Sequence, residues 1–173
     1  MARLPYLDRA SLPPEVAALW DRRPLNLYRI IAHARTAAPG FLALGRALLT
    51  ESELDPKLRE LVILRVGAIS RATYEIHQHK RLATSVGLSD DEIAAALRER
   101  SDDCLPEFSQ LVLKFTDSVV WEVKAPEPLY ADVTRQLSER QMAELLLTIG
   151  FYMLVSRFLE NTEVEIEELP KVP

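Results

Sequence analysis

The stretch LRELVILRVGAISRATYEIHQHKRLATSVGLSDDE, Leu58 to Glu92, decides how this chain is read. Its first third is nearly unbroken apolar sequence carrying the charges Glu60 and Arg65. The middle places Tyr74, Glu75, His77 and His79 within six residues, and holds two of the three histidines; the third is His33. Burying a charge costs free energy unless the charge is paired. Charges inside the most apolar segment, beside the densest cluster of titratable groups, point to a use for them.

Local signals give this stretch its helices. Asp55-Pro56 is a helix start, an N-cap acceptor followed by proline at the first helical position. The helix should run to about Ile69. Leu58, Leu61, Val62, Ile63, Leu64 and Val66 wrap most of its faces, which makes it a central helix. Gly67 is expected to let a neighbouring helix come close. Ser70 or Thr73 is expected to cap the next helix, which ends at Gly87 as a left-handed C-cap. Ser89 with Glu92 forms a capping box for a third.

Working outward, residues 1–13 read as an extended, proline-punctuated arm. Pro13 and Pro14 open a short helix that Pro24 ends. LNLYRIIAHAR has helical spacing, Pro39 and Gly40 break the chain, and FLALGRALLTE forms another helix. After Pro106, Phe108, Leu111, Val112, Phe115 and Val119 make an amphipathic stripe. Ser138 and Gln141 form a second capping box, ahead of a long apolar helix. The acidic tail, residues 161–173, is read as an extended arm or a short strand near Val164 to Ile166. The pentamers ELVIL from Glu60 and ELLLT from Glu144 hint at a pseudo-repeat of helical hairpins. The expected fold is all-α, a single domain of about eight helices spanning residues 1–173, with motif helices over residues 55–87.

Composition excludes several classes. The 173 residues are 48% hydrophobic and 27% charged, with net charge -5 and no basic tract. Nucleic acid is not an expected partner. Cys104 is the single cysteine, so neither an internal disulfide nor a cysteine-based metal site is possible. The longest apolar runs are short for a bilayer of roughly 30 Å, and the first residues lack the apolar core of a signal peptide. No membrane partner is expected, and a cytoplasmic location is the default expectation.

Glu75 and His79 are four apart on one helical face, where a carboxylate can orient an imidazole as an acid–base pair. Glu60 reaches the same place if its helix packs antiparallel. The alternative is an exposed i,i+4 pair of no consequence. His77 and His79 stand about 200° apart round a helix and cannot share one metal. Glu75 and His79 alone supply two ligands where a catalytic zinc usually takes three. No metal and no cofactor are expected. Arg65 is left three options: pairing within the protein, holding an anionic substrate, or snorkelling. His33 is read as a half-buried packing residue, and Trp20, Tyr28, Trp121, Phe151 and Tyr152 as core.

These residues resemble the carboxymuconolactone decarboxylase family, which includes the alkylhydroperoxidase D-like (AhpD-like) proteins. The peroxidase branch carries E-x11-C-x2-C-x3-H, whose positions fall here at Glu60, Ala72, Glu75 and His79. The glutamate and histidine match, and both cysteines are absent. A-T-Y-E-I-H-Q-H followed by A-T-S-V-G-L-S-D-D-E-I is similar to the non-peroxidase members, as are N-L-Y-R-I-I-A-H and L-D-P-K-L-R-E-L-V-I-L-R-V. The resemblance runs from about Leu25 to Arg157. It implies an all-α fold assembled as a homotrimer or homohexamer. Dithiol peroxidase chemistry needs a thiolate and a resolving thiol, which Ala72 and Glu75 do not supply.

Two readings follow. One is a cofactor-free acid–base lyase acting on a small carboxylated or lactone substrate. Glu60, Glu75 and His79 are then catalytic, and Arg65, Tyr74 and His77 bind substrate. The other is a non-catalytic oligomeric ligand-binding module in which the same residues form a structural network.

Overall fold

The computed structural model describes residues 1–167, and helix α4 (Pro56–Ser70) lies at its centre. Its start is the one the sequence implies: the Asp55 carboxylate accepts the Leu58 amide at 2.9 Å and Pro56 takes the first turn. Every residue from Leu58 to Gly67 is buried. Helices α5 (Thr73–Ser85), α6 (Asp90–Ala96), α7 (Glu107–Glu122) and α9 (Glu139–Thr162) all pack on it. Surrounding a helix on all sides requires apolar residues at every phase, which is why α4 shows no polar stripe.

The remaining helices are α1 (Pro14–Arg22), α2 (Asn26–Ile31), α3 (Ala38–Thr50) and α8 (Glu127–Thr134). Among the described residues the fold is all-α, with nine α-helices, two 3₁₀ turns and no strand. Both capping boxes form, Ser89 with Glu92 and Ser138 with Gln141. Gly87 takes φ +89° after α5, as a C-terminal glycine should.

Several local expectations are corrected. The 25–35 segment is helical only as far as Ile31. Pro39 and Gly40 sit inside the first turn of α3, where proline is tolerated because its missing amide has no partner to lose. Neither Ser70 nor Thr73 caps α5. Ala72 occupies the N-cap, and the Thr73 amide donates instead to Glu160 Oε1 of α9 at 3.0 Å. A cap borrowed from another helix leaves no local sequence signal. The residues Val164 to Ile166 form no strand. Asn161 and Thr162 belong to α9, and the tail reading for residues 168–173 lies outside the described residues. Arm residues 1–13 are extended apart from the turn Arg9–Ser11.

Helix α9 is long and apolar enough to cross a membrane by length and composition. Its buried residues, among them Leu145, Ile149, Tyr152 and Leu159, pack into the main core with Val62, Val66 and Phe115. It is a core helix, and it aligns the site described next.

Candidate functional site

Helices α4, α5 and α9 converge on a cluster of buried polar side chains. Glu60 projects from α4 and is 1% exposed. Its Oε2 lies 2.7 Å from His79 Nδ1, so the imidazole Nδ1–H donates to the carboxylate. Arg59 Nε stands 3.5 Å from the other oxygen, Oε1. The Tyr152 ring of α9 meets the His79 ring edge to face, with centroids 4.9 Å apart. These contacts fix the ring and its tautomer and leave Nε2 as the working nitrogen. Among the described residues Nε2 has no protein partner.

Glu75 is the exception in the cluster. It is 2% exposed, and neither carboxyl oxygen has a hydrogen-bond partner. Burial drives its pKa well above the ordinary carboxylate range, and the nearby Glu60 charge adds to the effect. Burial thus favours the protonated, neutral form of Glu75. The Tyr152 phenol is likewise held protonated, first by burial and then by Glu75 and Glu60. The expected partnership of Glu75 with His79 is therefore corrected. Both side chains are in place, but it is Glu60, from the preceding helix, that orients the imidazole.

Gly67 sets the spacing of these helices. A Cβ there would lie 3.1 Å from Ile76 Cγ1 and 3.7 Å from Glu75 Cγ. Its absence lets α5 close on α4 until Glu60 and His79 meet, as the sequence implied.

Tyr152, but not Glu60, Glu75 or His79, also lines a groove of about 580 Å³ between α3 and α9, walled with it by Tyr28, Phe41, Leu42, Leu49 and Phe151. A line of rings joins groove to cluster: Phe41 to Phe151 at 5.0 Å, Phe151 to Tyr152 at 5.4 Å, then Tyr152 to His79. Gly45 permits it, since a Cβ there would touch Phe151 Cζ at 3.0 Å. Tyr28, Phe151 and Tyr152, read from sequence as core, are thus also groove wall. Trp121, read the same way, is 65% exposed near the end of α7.

Three residues expected to bind substrate lie elsewhere. Arg65 is 3% exposed and faces away from the cluster. It pairs with Asp102 at 2.6 Å and Asp117 at 3.4 Å and donates to the Ala95 carbonyl at 3.2 Å. Five residues past Glu60 is about 140° round the helix, which carries it to the α6–α7 side. Tyr74 is buried, and its hydroxyl donates to Glu167 of the tail. His77 is half-buried and lies on the opposite side of α5 from His79. His33, expected half-buried, is exposed, with Nε2 2.8 Å from the Pro5 carbonyl oxygen. Sequence reasoning missed Arg59 and the contact of Tyr152 with His79. The signal for Arg59 was present, since it adjoins Glu60 within the same apolar helix. Tyr152 had none beyond being one more aromatic residue in an apolar run.

The groups of the cluster are nitrogen and carboxyl donors, and no group of three or more metal-ligating side chains occurs among the described residues. The arrangement offers one oriented imidazole, one buried carboxyl group whose protonated form is favoured, and one phenol that reaches the wall of an apolar groove. That set can move protons and stabilise a developing oxyanion.

The architecture is the AhpD-like helical fold. It superposes on an uncharacterized peroxidase-related protein with an alkylhydroperoxidase AhpD core from Ralstonia eutropha JMP134, with TM-score 0.80 and 17% identity over 96% of this chain and 93% of that one. A peroxidase-related protein from Silicibacter sp. TM1040 gives TM-score 0.77 at 15% identity, covering 96% and 94%. A variant of the debrominase Bmp8 in complex with 2,3,4-tribromopyrrole gives 0.77 at 16%, covering 96% and 94%. No curated protein matches the chain. Residues 35–117 match the model of the Carboxymuconolactone decarboxylase family. Over those residues the chain carries the carboxymuconolactone decarboxylase family match, in a form without the two motif cysteines, and its fold is AhpD-like.

Proposed function

We propose that this protein is a cofactor-free acid–base enzyme of the lyase type, acting on a small carboxylated or lactone substrate that reaches the cluster from the apolar groove. The observation that carries the reading is the unpartnered, buried Glu75 beside the oriented Glu60–His79 pair. A purely structural crossing of three helices would be more stable with apolar side chains at these positions. In the reaction, loss of carbon dioxide breaks a carbon–carbon bond and leaves its electron pair on a carbonyl oxygen as an enolate. The Glu75 carboxylic acid donates a hydrogen bond to that oxygen. Protonated His79, steadied by Glu60, delivers the Nε2 proton to carbon and is recharged from solvent. Because Nδ1–H is committed to Glu60, the neutral ring offers Nε2 as a base, so one side chain serves both directions of proton transfer.

A dithiol peroxidase reading is not supported, because Ala72 and Glu75 stand where its thiols would be. We also read the chain as a cytoplasmic homo-oligomer, a trimer or hexamer. Supporting this, Leu147 and Leu154 are each 52% exposed on the outer face of α9, with Gly150 open between them. The test is a screen of small lactones and keto acids for carbon dioxide release, with His79→Gln beside the native chain. Turnover by the native protein alone supports the reading. Equal turnover by both proteins, at matched fold and assembly, removes His79 from the chemistry and leaves the non-catalytic module.

A further inference from the structure

A second polar site lies one helical phase away on α5 and takes no part in the mechanism above. Tyr74 and Gln78, a turn apart, are 3% and 7% exposed. Both donate to a single carboxylate, that of Glu167. Tyr74 Oη donates to Oε1 and Gln78 Nε2 to Oε2 at 2.8 Å, and the Asn26 backbone amide also donates to Oε1. Behind them Arg23 donates to Gln78 Oε1 at 2.8 Å, which orients the amide so that its NH₂ faces the carboxylate. All three donors to the carboxylate, and Arg23 behind them, belong to the folded body, and only the Glu167 acceptor comes from the tail. The tail arrives there because Glu163 takes a left-handed conformation (φ 51°) after α9 and turns the chain back. It is pinned on the way by Arg3 to Glu163 at 2.7 Å and by the Glu165 amide to Tyr6 Oη at 2.8 Å.

The groove adjoins this cradle at Tyr28. That residue lines the groove and also feels the charges of both Arg23 and Glu167. We propose that Tyr74, Gln78 and the Asn26 amide form a carboxylate-binding subsite at the edge of the groove, which Glu167 fills in cis until a small monocarboxylate with an apolar body displaces it. Exchange of one carboxylate for another leaves the charge and hydrogen bonding of the cradle unchanged, so it costs little beyond release of the tail. A tethered competitor acts at millimolar effective concentration and masks weak ligands. The native chain should therefore discriminate against poor binders, and the tail sets that threshold.

The proposal concerns binding and stands whether or not His79 is catalytic. Calorimetric titration of the full chain with 4-phenylbutyrate tests it, with the uncharged 4-phenylbutyramide as control. Glu167→Ala should bind the acid about tenfold more tightly than the native chain, and adding Tyr74→Phe should abolish the gain. The amide should show no gain, and His79→Gln should leave the gain in place. Glu167→Gln, which keeps the size of the side chain, should move affinity in the same direction if the alanine variant folds poorly. In the native chain, saturating acid should speed amide exchange across residues 163–167. Equal affinity of acid for the native chain and for both Glu167 variants overturns the proposal, as does an equal gain for acid and amide. Unchanged exchange in the tail at saturation overturns it too.

Discussion

Helix α4 separates two buried charge clusters that differ in one respect. On the α6–α7 side, Arg65 meets two carboxylates and a backbone carbonyl, and both of its partners are partly solvated, at 34% and 28% side-chain exposure. Two carboxylates share one buried guanidinium, the charge of Arg98 also acts on Asp117, and water is near, so this cluster ties the 3₁₀ turn Asp102–Cys104 and α7 to the core. On the α5–α9 side, Glu60 is paired with His79 and Arg59, yet Glu75 beside them has no partner. An orphaned carboxyl in a low-dielectric site costs stability. The contrast teaches that burial of charge does not by itself mark a functional site. What distinguishes the second cluster is a whole carboxyl group left without a partner, where the first leaves over only single atoms, Arg65 Nε and Asp117 Oδ1, of side chains that are otherwise paired.

The largest expected effect falls on activity. His79→Gln keeps a donor for Glu60 but removes the titrating nitrogen. Turnover should drop by roughly 10²–10⁴-fold with the helical signal unchanged, read by carbon dioxide release and circular dichroism. Arg65→Met sharpens the comparison from the other side. It strips a buried cation from Asp102 and Asp117 and should cost about 3 kcal/mol in urea unfolding. Turnover per folded molecule should stay near native. A catalytic loss as large as that of His79→Gln would break the proposed division of labour.

The third prediction concerns pH. The folded state holds a proton on Glu75 that the unfolded chain releases above its ordinary value of 4.5. The native state then binds more protons than the unfolded one, so stability falls as pH rises from there, and levels off only near the raised folded value. The slope is up to about 1.4 kcal/mol per pH unit for one proton. Glu75→Gln should flatten this part of the stability–pH curve and raise the melting temperature at neutral pH, while lowering turnover. An unchanged slope would mean that Glu75 is ionised in the folded protein. The smallest effect belongs to Gly67→Ala. Helix propensity favours alanine by about 1 kcal/mol, and crowding of Ile76 opposes it, so net stability should move by less than about 1 kcal/mol. The displacement of α5 should still reduce turnover by widening the Glu60–His79 contact, which an imidazole proton chemical shift would report.

Much of this molecule is legible in the chain because its signals are local. Asp55-Pro56, the two capping boxes and Gly87 each act through neighbours one turn away, so their spacing carries the structure. The apolar wrap of Leu58 to Val66 names the central helix, since an all-apolar surface must be enclosed. Glu60, Glu75 and His79 were visible as ionisable groups out of keeping with their surroundings. Less visible was anything that depends on which helix lies across from which. Glu160 capping α5, Arg65 turned to Asp102, Tyr152 against His79, and Glu167 on Tyr74 and Gln78 all join residues far apart in the chain.

The sequence by itself determined most of the helices, the caps of α4, α6 and α9, the central position of α4 and the family that the motif resembles. Each of these follows from periodicity, side-chain chemistry or residue pattern within short stretches. Only the tertiary structure decided that Glu60 and not Glu75 orients His79, that Glu75 is left unpartnered, and that Arg65 serves the opposite side of α4. Those outcomes depend on distances of about 3 Å between separate helices, set by packing contacts such as Ile76 over Gly67 and Phe151 over Gly45. No single stretch of the chain encodes them.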